Sequence, residues 1–394
     1  MSKAVVIIPT YKERENIERI IPIIEEDVFP QVKNYQMFIL VADDNSPDGT
    51  PEAVEAFAKK YKNIEISSGE KKGLGAAYIR AMTFAIEEMG ADVVFEMDAD
   101  LQHDPAKIPD FLEKIDEGCD MVIGTRYSDG GSIPAKWPLH RKAFSVVANL
   151  FVRTVFMRFY IHDWTGGYRA LKKEVFLKEK HELTKFSGYI FQISFLHKAV
   201  RDGFKIGEVP FHFGERSLGD SKIAPIGYIM QVITFVITTR ITELQRVIKF
   251  LIVGGTGFIV QLVFQEFAAN VLFVSVIASL RDGLSAGFGA EAAILCNFMF
   301  NNFWTFSDTK HIKQNSHFMH KLIKFNLATL LSVFIQFLSV YLFVHFLGED
   351  VMLFGMSLKT RIVVLFPTII LLVIPLNYFI YNRIIWKTHH LKDK

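Results

Sequence analysis

The chain has 394 residues, half of them apolar, which is too long for one ordinary hydrophobic core and leads us to expect two domains. Its net charge of +2 hides two unlike parts: residues 1–224 carry 30 Lys and Arg against 34 Asp and Glu, whereas residues 225–394 carry 14 against 8. The absence of a concentrated basic cluster argues against a nucleic-acid partner, and the positive excess of the second part suits the anionic surface of a lipid bilayer.

The two cysteines exclude a disulfide framework and a four-ligand zinc site. Cys119 and Cys296 lie in different parts of the chain, and we expect both to be buried thiols. The chain passes from Met1 directly into the apolar residues 4–8, without the basic region, long hydrophobic segment and cleavage site of a secretory signal. We therefore expect the first domain to lie in the cytoplasm.

From residue 4 to about residue 213, short apolar runs alternate with amphipathic stretches. This alternation predicts an α/β, Rossmann-like domain with a mostly parallel sheet, in which ligands bind at the carboxyl ends of the strands. The predicted strands cover residues 4–8, 37–42, 64–67, 93–97 and 121–124. Thr50, before Pro51, and Asp104, before Pro105, are the predicted N-caps of two helices.

A helix is predicted over residues 225–245. Its apolar residues recur every three or four positions, while its polar residues tend to other faces. An interfacial helix lying on a membrane fits this pattern, and an ordinary amphipathic surface helix fits it equally well. Its position before a hydrophobic region favours the interfacial helix.

Four hydrophobic stretches follow, each about long enough to cross a bilayer as a helix: residues 250–271, 288–305, 325–346 and 362–381. Basic residues crowd the loop between the second and third stretches and the segment after the fourth. They are Lys310, Lys313, Lys321 and Lys324 in the loop, and Arg383, Lys387, Lys392 and Lys394 after the fourth stretch. We therefore expect an all-α membrane domain over residues 246–394 of an integral, multi-pass protein, with both termini in the cytoplasm.

Two carboxylates and an amide follow the predicted strand that ends at Met97. Asp98, Asp100 and Gln102 supply the hard oxygen ligands that Mg²⁺ or Mn²⁺ prefers, and such an ion can stabilise the charge that develops on a departing diphosphate. Taken alone, the same residues could form a solvated acidic turn. Their place at a strand end, beside other polar strand ends, favours the metal site.

Polar residues also follow the first two strands, in residues 9–16 and 43–50. Tyr11 can stack on a nucleobase, and Glu13 and Asp44 can accept its hydrogen bonds. The segment 73–77 resembles a dinucleotide-binding glycine motif, but it follows the third strand rather than the first, so a nicotinamide site is disfavoured. Phosphate groups could be held by the basic residues Arg126, Arg141, Arg216 and Lys222.

Seven segments, in order, resemble the inverting family 2 glycosyltransferases with a GT-A fold, and among them the polyprenyl-phosphate branch that includes the dolichyl-phosphate mannose synthases. They are PTYKERENI from Pro9, DDNSPDGT from Asp43, GLGAAY from Gly73, DADLQHDP from Asp98, GTRY from Gly124, DWTGGYRA from Asp163 and ERSLGDSK from Glu215. The resemblance spans about the first 222 residues. It implies a GT-A catalytic domain over residues 1–224.

The resemblance implies a role for each matching residue. The nucleoside would be held by Pro9, Tyr11, Glu13, Ala42 and Asp44. Further nucleotide-sugar contacts would come from Asp98, Ala99, Asp100, Arg126, Arg216 and Lys222. The metal ligands would be Asp98, Asp100 and Gln102, and the acceptor phosphate would contact Arg126, Arg141 and Ser145. The catalytic residues would be Asp100, Arg126, Arg216 and Lys222.

The second part resembles the GtrA-type four-helix membrane domain, through FLIVGGTGF from Phe250 and CNFMFNNFWTF from Cys296. Such a domain could be a plain anchor, or it could handle the lipid product. Glu266, Glu291 and Asn297 could mark a polar path, since ionisable groups within membranes are costly, or the two glutamates could lie at the interface.

The two resemblances together imply an inverting transfer of mannose from GDP-mannose to dolichyl or polyprenyl phosphate, assisted by Mg²⁺ or Mn²⁺, at a lipid bilayer. A glucosyltransferase that uses UDP-glucose would share nearly every motif and is the alternative. A processive polysaccharide synthase would be expected to carry a Q-x-x-R-W-type motif, and we find none. A lipid transporter with a degenerate catalytic domain would be expected to lose Asp98 or Asp100, and both are present.

Overall fold

The computed structural model describes residues 1–183, 188–215, 226–276, 278–307, 318–348, 350–353, 356–359, 363–364 and 367–386. Two compact units make up the chain, Met1–Arg240 and Ile241–Lys394. The domain boundaries expected from the sequence, at residues 224 and 245, stay predictions.

The first unit is built on a seven-stranded sheet with the order β3-β2-β1-β4-β6-β5-β7. Its strands are β1 Ser2–Thr10, β2 Tyr35–Asp43, β3 Ile64–Ser68, β4 Val93–Glu96, β5 Met121–Thr125, β6 Arg169–Lys172 and β7 Ile206–Pro210. β6 pairs antiparallel with β4 and β5, and the other neighbours are parallel. The five predicted strands are confirmed; β6 and β7 were not predicted.

Seven helices of the described part of this unit, besides the first part of a long helix that begins at Ile226, surround the sheet. They are α1 Arg14–Pro22, α2 Thr50–Lys60, α3 Leu74–Glu87, α4 Ile108–Asp116, α5 Leu139–Phe156, α6 Lys173–Leu183 and α7 Gly188–Arg201. α1 continues into a wider, π-helical turn over Ile23–Val28. A single turn over Pro105–Lys107 leads into α4.

One of the two predicted N-caps is confirmed and the other is wrong. The Asp104 carboxylate accepts a hydrogen bond from the Ala106 amide at 3.0 Å, as a cap should. Thr50 is instead the first residue of α2, and Gly49 precedes it with a positive φ of 86°. The Asp48 carboxylate supplies the missing acceptor, since its Oδ1 atom receives hydrogen bonds from the Thr50 amide and hydroxyl.

Apolar cores cover both faces of the sheet. Ala4, Val6 and Ile8 of β1 lie in one core, and Val5 and Ile7 lie in the other. Alternate residues of a strand point to opposite faces, so a strand buried on both faces must be apolar at every position. The interior of β1 therefore has no position for a polar group, and the polar residues of the strand, Ser2, Lys3 and Thr10, lie at its two ends.

The second unit is mainly helical. Its helices are the later part of α8 Ile226–Phe267, then α9 Ala278–Phe300, α10 Phe318–Leu347 and α11 Ile374–Ile380. Wider turns extend three of them, over Ala268–Leu272, Asn301–Thr305 and Tyr381–Ile385. β8 Asp350–Leu353 pairs antiparallel with β9 Met356–Lys359. In the aromatic core of the second unit, the rings of Phe306 and Trp386 stack with their centroids 4.4 Å apart.

Within the described residues, one helix, Ile229–Leu272, is long and apolar enough to cross a membrane, and the apolar helix Ile370–Ile385 is shorter. The four predicted membrane spans are therefore not confirmed as a set. The predicted interfacial helix and the first predicted span belong to one helix, because α8 continues without a break from Ile226 to Phe267.

Replacing Ile7 with Ala should destabilise the first unit strongly. Ile7 is fully buried in β1, between Leu40 of β2 and Glu96 of β4 in strand register. Large-to-small changes in a closed core cost about 2–5 kcal/mol because a cavity is left behind. Thermal unfolding of the full chain in detergent should show a clear fall in Tm. The control, Leu177→Ala on α6, removes a side chain that is 45% exposed and should change Tm little. Equal falls in Tm for Ile7→Ala and Leu177→Ala would contradict the assignment of Ile7 to the core.

Candidate active site

Three neighbouring strands end in a backbone conformation that is unusual for residues other than glycine. Lys12 after β1, Asn45 after β2 and Leu101 after β4 have φ values of 61°, 54° and 61°. β1 pairs in parallel with both β2 and β4, so these three ends lie at the same edge of the sheet. A left-handed backbone conformation costs about 1–3 kcal/mol in a residue other than glycine, and such residues cluster at functional sites. This edge is the candidate active site.

The residues predicted to hold the nucleoside lie at this edge. Pro9 of β1 and Ala42 of β2 are partners in the parallel register. Tyr11 is 37% exposed, and the Lys71 ammonium lies over its ring, 3.3 Å from the centroid. Lys71 was not predicted as a site residue. A planar base stacking on that face of Tyr11 would have to displace this ammonium.

Asp43 ties the first two strand ends together. Its fully buried carboxylate accepts hydrogen bonds from the Thr10 hydroxyl at 2.9 Å, and from the amide and hydroxyl of Ser46 at 2.7 and 2.6 Å. The Ser46 hydroxyl in turn accepts a hydrogen bond from the Lys12 amide at 2.9 Å. These bonds hold the left-handed turn at Lys12. The predicted ligand Glu13 is also anchored locally, since its Oε2 atom accepts a hydrogen bond from the Asn16 side-chain nitrogen Nδ2 at 2.5 Å.

Asp44 has a cationic partner that the sequence did not indicate. Arg80 of α3 donates to Asp44 Oδ1 at 3.0 Å and to the Asp43 carbonyl at 3.3 Å. A Cβ added at Gly69 would lie 2.3 Å from the Arg80 guanidinium, so Gly69 leaves the space that this side chain needs. Arg80 therefore fixes the orientation of the Asp44 carboxylate.

The predicted metal ligands lie on the turn after β4. The Asp98 carboxylate is 43% exposed, whereas Asp100 is 6% exposed and accepts a hydrogen bond from the Gln102 amide at 3.1 Å. The Asp98 amide donates to His103 Nδ1 at 3.0 Å, so this ring nitrogen is an acceptor and not a metal ligand. Burial lowers the pKa of His103 to about 4, which keeps the ring neutral.

The carboxylates of this turn suit a metal ion whose remaining coordination positions are filled by the substrate and by water. Within the described residues, no group of three His, Cys, Asp or Glu side chains forms a ready-made metal site. Mg²⁺ is commonly bound by one or two carboxylates together with water and substrate phosphates. Asp98 and Asp100 could supply those carboxylates. The Gln102 side-chain nitrogen donates to the Gly214 carbonyl at 3.1 Å, which joins this turn to the segment after β7.

Arg126, after β5, is held by a buried carboxylate. Its Nε and Nη2 atoms donate to the two oxygens of Asp163 at 2.6 and 2.9 Å, and Nη2 also donates to the Thr165 hydroxyl at 2.9 Å. The Asp163 side chain is fully buried and that of Arg126 is 9% exposed. The structure thus pairs a predicted phosphate ligand with a carboxylate that the sequence did not single out as its partner.

Hydrogen bonds connect Arg126 to α5. Asn149 donates to the Thr165 hydroxyl and to the Ser145 carbonyl, both at 3.1 Å. The Ser145 hydroxyl lies 2.5 Å from the Tyr127 hydroxyl. Two residues predicted to contact the acceptor phosphate, Arg126 and Ser145, therefore belong to one network. The third, Arg141, lies on the same helix, with its guanidinium 3.9 Å from the centroid of the Trp137 ring.

The outer face of α5 is apolar. Val152 and Phe156 are buried on the inner face, whereas Leu139, Val147 and Leu150 are 83%, 60% and 55% exposed. Clustered exposed apolar residues indicate a surface that contacts a membrane or another apolar partner. Periodicity along residues 139–156 was a signal for this helix that the sequence analysis missed. Arg216 and Lys222, predicted as catalytic residues, lie outside the described residues.

Replacing Asp163 with Asn should destabilise the first unit, because it leaves the Arg126 charge buried without its partner. We expect a loss of about 3–5 kcal/mol at pH 7. Burial would raise the pKa of Asp163, but the charge of Arg126 and hydrogen bonds from Arg126 and Thr165 hold it below its ordinary value. The carboxylate therefore stabilises the fold above its unfolded pKa of about 3.9, and this stabilisation is lost as pH falls through the folded pKa.

Thermal unfolding from pH 7 down to about pH 3 would measure this effect. The difference in Tm between wild type and Asp163→Asn should narrow as the pH falls. Asp110→Asn, which changes a half-exposed carboxylate on α4, serves as the control. A gap that is absent at pH 7, or that widens in acid, would contradict the assigned ion pair.

Comparison with known proteins gives two matches that cover most of the chain. Residues 5–192 match the family described as glycosyl transferase family 2, and residues 249–386 match the GtrA/DPMS transmembrane domain. The first match contains the sheet edge with its three polar strand ends. The second match lies within the helical second unit, so the expected GT-A-like sheet domain with a helical carboxyl-terminal domain is confirmed at this level.

Two curated relatives are similar over long stretches. The dolichol-phosphate mannosyltransferase of Pyrococcus furiosus is 36% identical over 350 residues, which cover 88% of this chain and 92% of that protein. The polyprenol monophosphomannose synthase of Mycolicibacterium smegmatis is 39% identical over 224 residues, covering 56% and 81%. Among solved structures, glucosyl-3-phosphoglycerate synthase from Mycobacterium tuberculosis is 18% identical with a TM-score of 0.42, covering 61% and 80%. Similarity at that TM-score carries no inference about ligands.

Proposed function

The chain belongs to the dolichol-phosphate mannosyltransferase family of family 2 glycosyltransferases, and from this membership we propose that it transfers mannose from GDP-mannose to a dolichyl or polyprenyl phosphate. The observation that carries the proposal is similarity to a mannosyltransferase along nearly the whole length of both proteins. The products would be GDP and dolichyl β-D-mannosyl phosphate. The enzyme is a glycosyltransferase; the donor and the sugar are the parts proposed.

The nucleoside would bind at the ends of β1 and β2. Tyr11 offers a partly exposed ring for stacking, and the Asp44 carboxylate, oriented by Arg80, can accept hydrogen bonds from a base. Pro9, Glu13 and Ala42 would complete this part of the site. The backbone there is fixed by buried hydrogen bonds to Asp43, so little order has to be gained when the nucleotide binds.

The diphosphate would bind beside the turn after β4. Asp98 and Asp100, with Gln102, would hold Mg²⁺ or Mn²⁺, and such an ion would stabilise the negative charge that develops on the departing GDP. Ala99, between the two carboxylates, would contribute only backbone contacts. The proposed diphosphate ligands Arg216 and Lys222 would add positive charge from outside the described residues.

The acceptor phosphate would be positioned by Arg126, Arg141 and Ser145. A phosphate monoester on a polyprenol carries negative charge at pH 7, so its oxygen can attack the anomeric carbon without a strong general base. Direct displacement would invert the configuration, giving a β-linked product from an α-linked donor. Positioning and stabilisation of the leaving group would supply most of the rate enhancement.

The lipid part of the acceptor requires an apolar environment near this site. The exposed apolar face of α5 carries Leu139, Val147 and Leu150 on the helix that also carries Arg141 and Ser145. We propose that this face and residues 225–245 lie at the membrane surface, that four helices of the second unit span the bilayer, and that both termini are cytoplasmic. The match to a transmembrane domain supports this arrangement.

The donor can be tested directly. Purified full-length protein in detergent, incubated with polyprenyl phosphate and Mn²⁺ or Mg²⁺, should form labelled lipid from radiolabelled GDP-mannose and not from radiolabelled UDP-glucose. Omission of polyprenyl phosphate is the control for transfer to the lipid. Formation of labelled lipid only from UDP-glucose would leave the proposed acceptor and site unchanged but would overturn the assignment of mannose. Label from neither donor would contradict the proposed function.

Replacing Asp100 with Asn should abolish transfer, with a fall in kcat of about 10³-fold or more, because a carboxylate that holds charge at the leaving group is lost. Asp100 follows β4, outside the hydrophobic cores, so the Tm should change little. Asp110→Asn again supplies the matched control and should keep near-normal turnover. Turnover close to wild type in Asp100→Asn would contradict the metal assignment, and a large fall in Tm would show that Asp100 is structural.

A further inference from the structure

One arginine of α3 contacts the ends of two strands at the candidate active site. The Arg80 side chain is 26% exposed, and its Nη2 atom lies 3.0 Å from Asp44 Oδ1. The same atom donates to the Asp43 carbonyl at 3.3 Å and to the Ser67 carbonyl of β3 at 3.5 Å. Arg80 therefore joins α3 to the carboxyl ends of β2 and β3.

Asp44 and Tyr11 occupy matching positions on neighbouring strand ends. Each comes one residue after the register pair of Thr10 and Asp43. The Asp44 amide donates to the Thr10 carbonyl at 3.0 Å, which fixes its backbone. Its side chain is 9% exposed, and burying a carboxylate is costly unless its charge is paired. Arg80 supplies that pair and holds the carboxylate in one orientation.

Gly69 leaves the space that the guanidinium of Arg80 occupies. The Gly69 amide donates to the Asp43 carbonyl at 2.9 Å, so the backbone passes directly beside this contact. A Cβ added at Gly69 would lie 2.6 Å from Arg80 Cζ and 2.8 Å from Nε, closer than real Cβ atoms approach other heavy atoms. A side chain at this position would therefore push the guanidinium away from Asp44.

We propose that Arg80 is a positioning residue for nucleobase selection, which holds the Asp44 carboxylate so that it accepts a hydrogen bond from a ring N–H of the donor's base. The inference rests on the proposed function, which puts the nucleoside at the ends of β1 and β2. Guanine and uracil carry a ring N–H on their base-pairing edge, whereas adenine and cytosine carry an unprotonated ring nitrogen there. The site would therefore select nucleotides whose base has a ring N–H.

A carboxylate held in place discriminates between these two kinds of base by attraction and by repulsion. An ionised carboxylate has only acceptors, with about four lone-pair positions, of which the bond from Arg80 uses one. A ring N–H donates to it, whereas an unprotonated ring nitrogen meets a second acceptor, and both groups lose water without gaining a bond. A carboxylate that could turn away would lose this selectivity, because the mismatched base would no longer meet it.

The test compares GDP with ADP, because these nucleotides share the ribose and the diphosphate and differ only in the base. Arg80→Met keeps much of the apolar length of the side chain and removes the guanidinium. In the full chain in detergent with Mn²⁺, wild type should bind GDP more tightly than ADP, and the ratio of the two Kd values should fall about tenfold or more in Arg80→Met. Arg19→Met, which removes an exposed arginine of α1, is the control and should leave the ratio unchanged.

Gly69→Ala tests the same contact without removing a charge. The added methyl group should displace the flexible end of Arg80, and Gly69 does not have a positive φ that would strain an alanine. This variant should lower the preference for GDP over ADP as Arg80→Met does. If Arg80→Met fails to fold, Gly69→Ala decides the question.

A double-mutant cycle shows whether Arg80 acts through Asp44. Asp44→Asn should itself reduce the preference for GDP, and adding Arg80→Met to it should change the ratio of Kd values by less than about twofold. An arginine that only supports the fold would instead weaken GDP and ADP binding equally, and the ratio would stay at its wild-type value.

The outcomes separate this inference from the function on which it rests. An unchanged ratio in Arg80→Met or Gly69→Ala, or an effect of Arg80→Met that adds in full to that of Asp44→Asn, would overturn the role of Arg80. If the protein transfers sugar only from UDP-glucose, the mannose assignment fails, and UDP is compared with CDP in the same variants. A wild-type protein that distinguishes neither GDP from ADP nor UDP from CDP would overturn the inference, whichever sugar it transfers.

Discussion

The parallel pairing of β1 with β2 on one side and β4 on the other is the constraint on which the rest of the first unit depends. Both faces of β1 are buried, so every interior position is apolar and polar groups can follow only at its ends. Parallel pairing brings three such ends to one edge. Each of them bends through a left-handed residue, at Lys12, Asn45 and Leu101. The strain of these turns is offset by the buried core behind them.

Behind that edge, buried charges are held in two different ways. Asp163 and Arg126 form a bidentate ion pair, and Arg126 also donates to Thr165, which is hydrogen-bonded to α5. Protein groups therefore hold the Arg126 side chain in place. Glu96 and Arg169 face each other without a direct ion pair; burial raises the pKa of Glu96 to about 7, and the charge of Arg169 and a side-chain hydrogen bond from Gln192 oppose that rise. The first arrangement stabilises a fixed geometry. In the second, neighbouring polar groups reduce the cost of burying the Glu96 carboxyl group.

Some local signals were strong enough to predict structure directly. Mostly apolar runs predicted four of the five strands, because a strand buried on both faces needs that composition. The fifth, β3, is a partly exposed edge strand in which apolar and polar residues alternate. Asp104 before Pro105 predicted a cap correctly, whereas Thr50 was wrong by one position, because the Asp48 carboxylate already supplies the acceptor there. β6 and β7 carried little signal, since they are short and include charged residues or glycine. They form strands because neighbouring strands satisfy their hydrogen bonds.

The sequence by itself determined the class of the protein, the edge of the sheet proposed for its chemistry, and the polar residues that follow each strand, because parallel strands always end on the same side. Only the tertiary structure decided how those residues are held. The partners of Asp44, Arg126 and the Asp98 turn come from α3, the segment before β6 and the segment after β7. They lie tens of residues away along the chain, and no local pattern records a contact that only the packing of helices on a sheet creates.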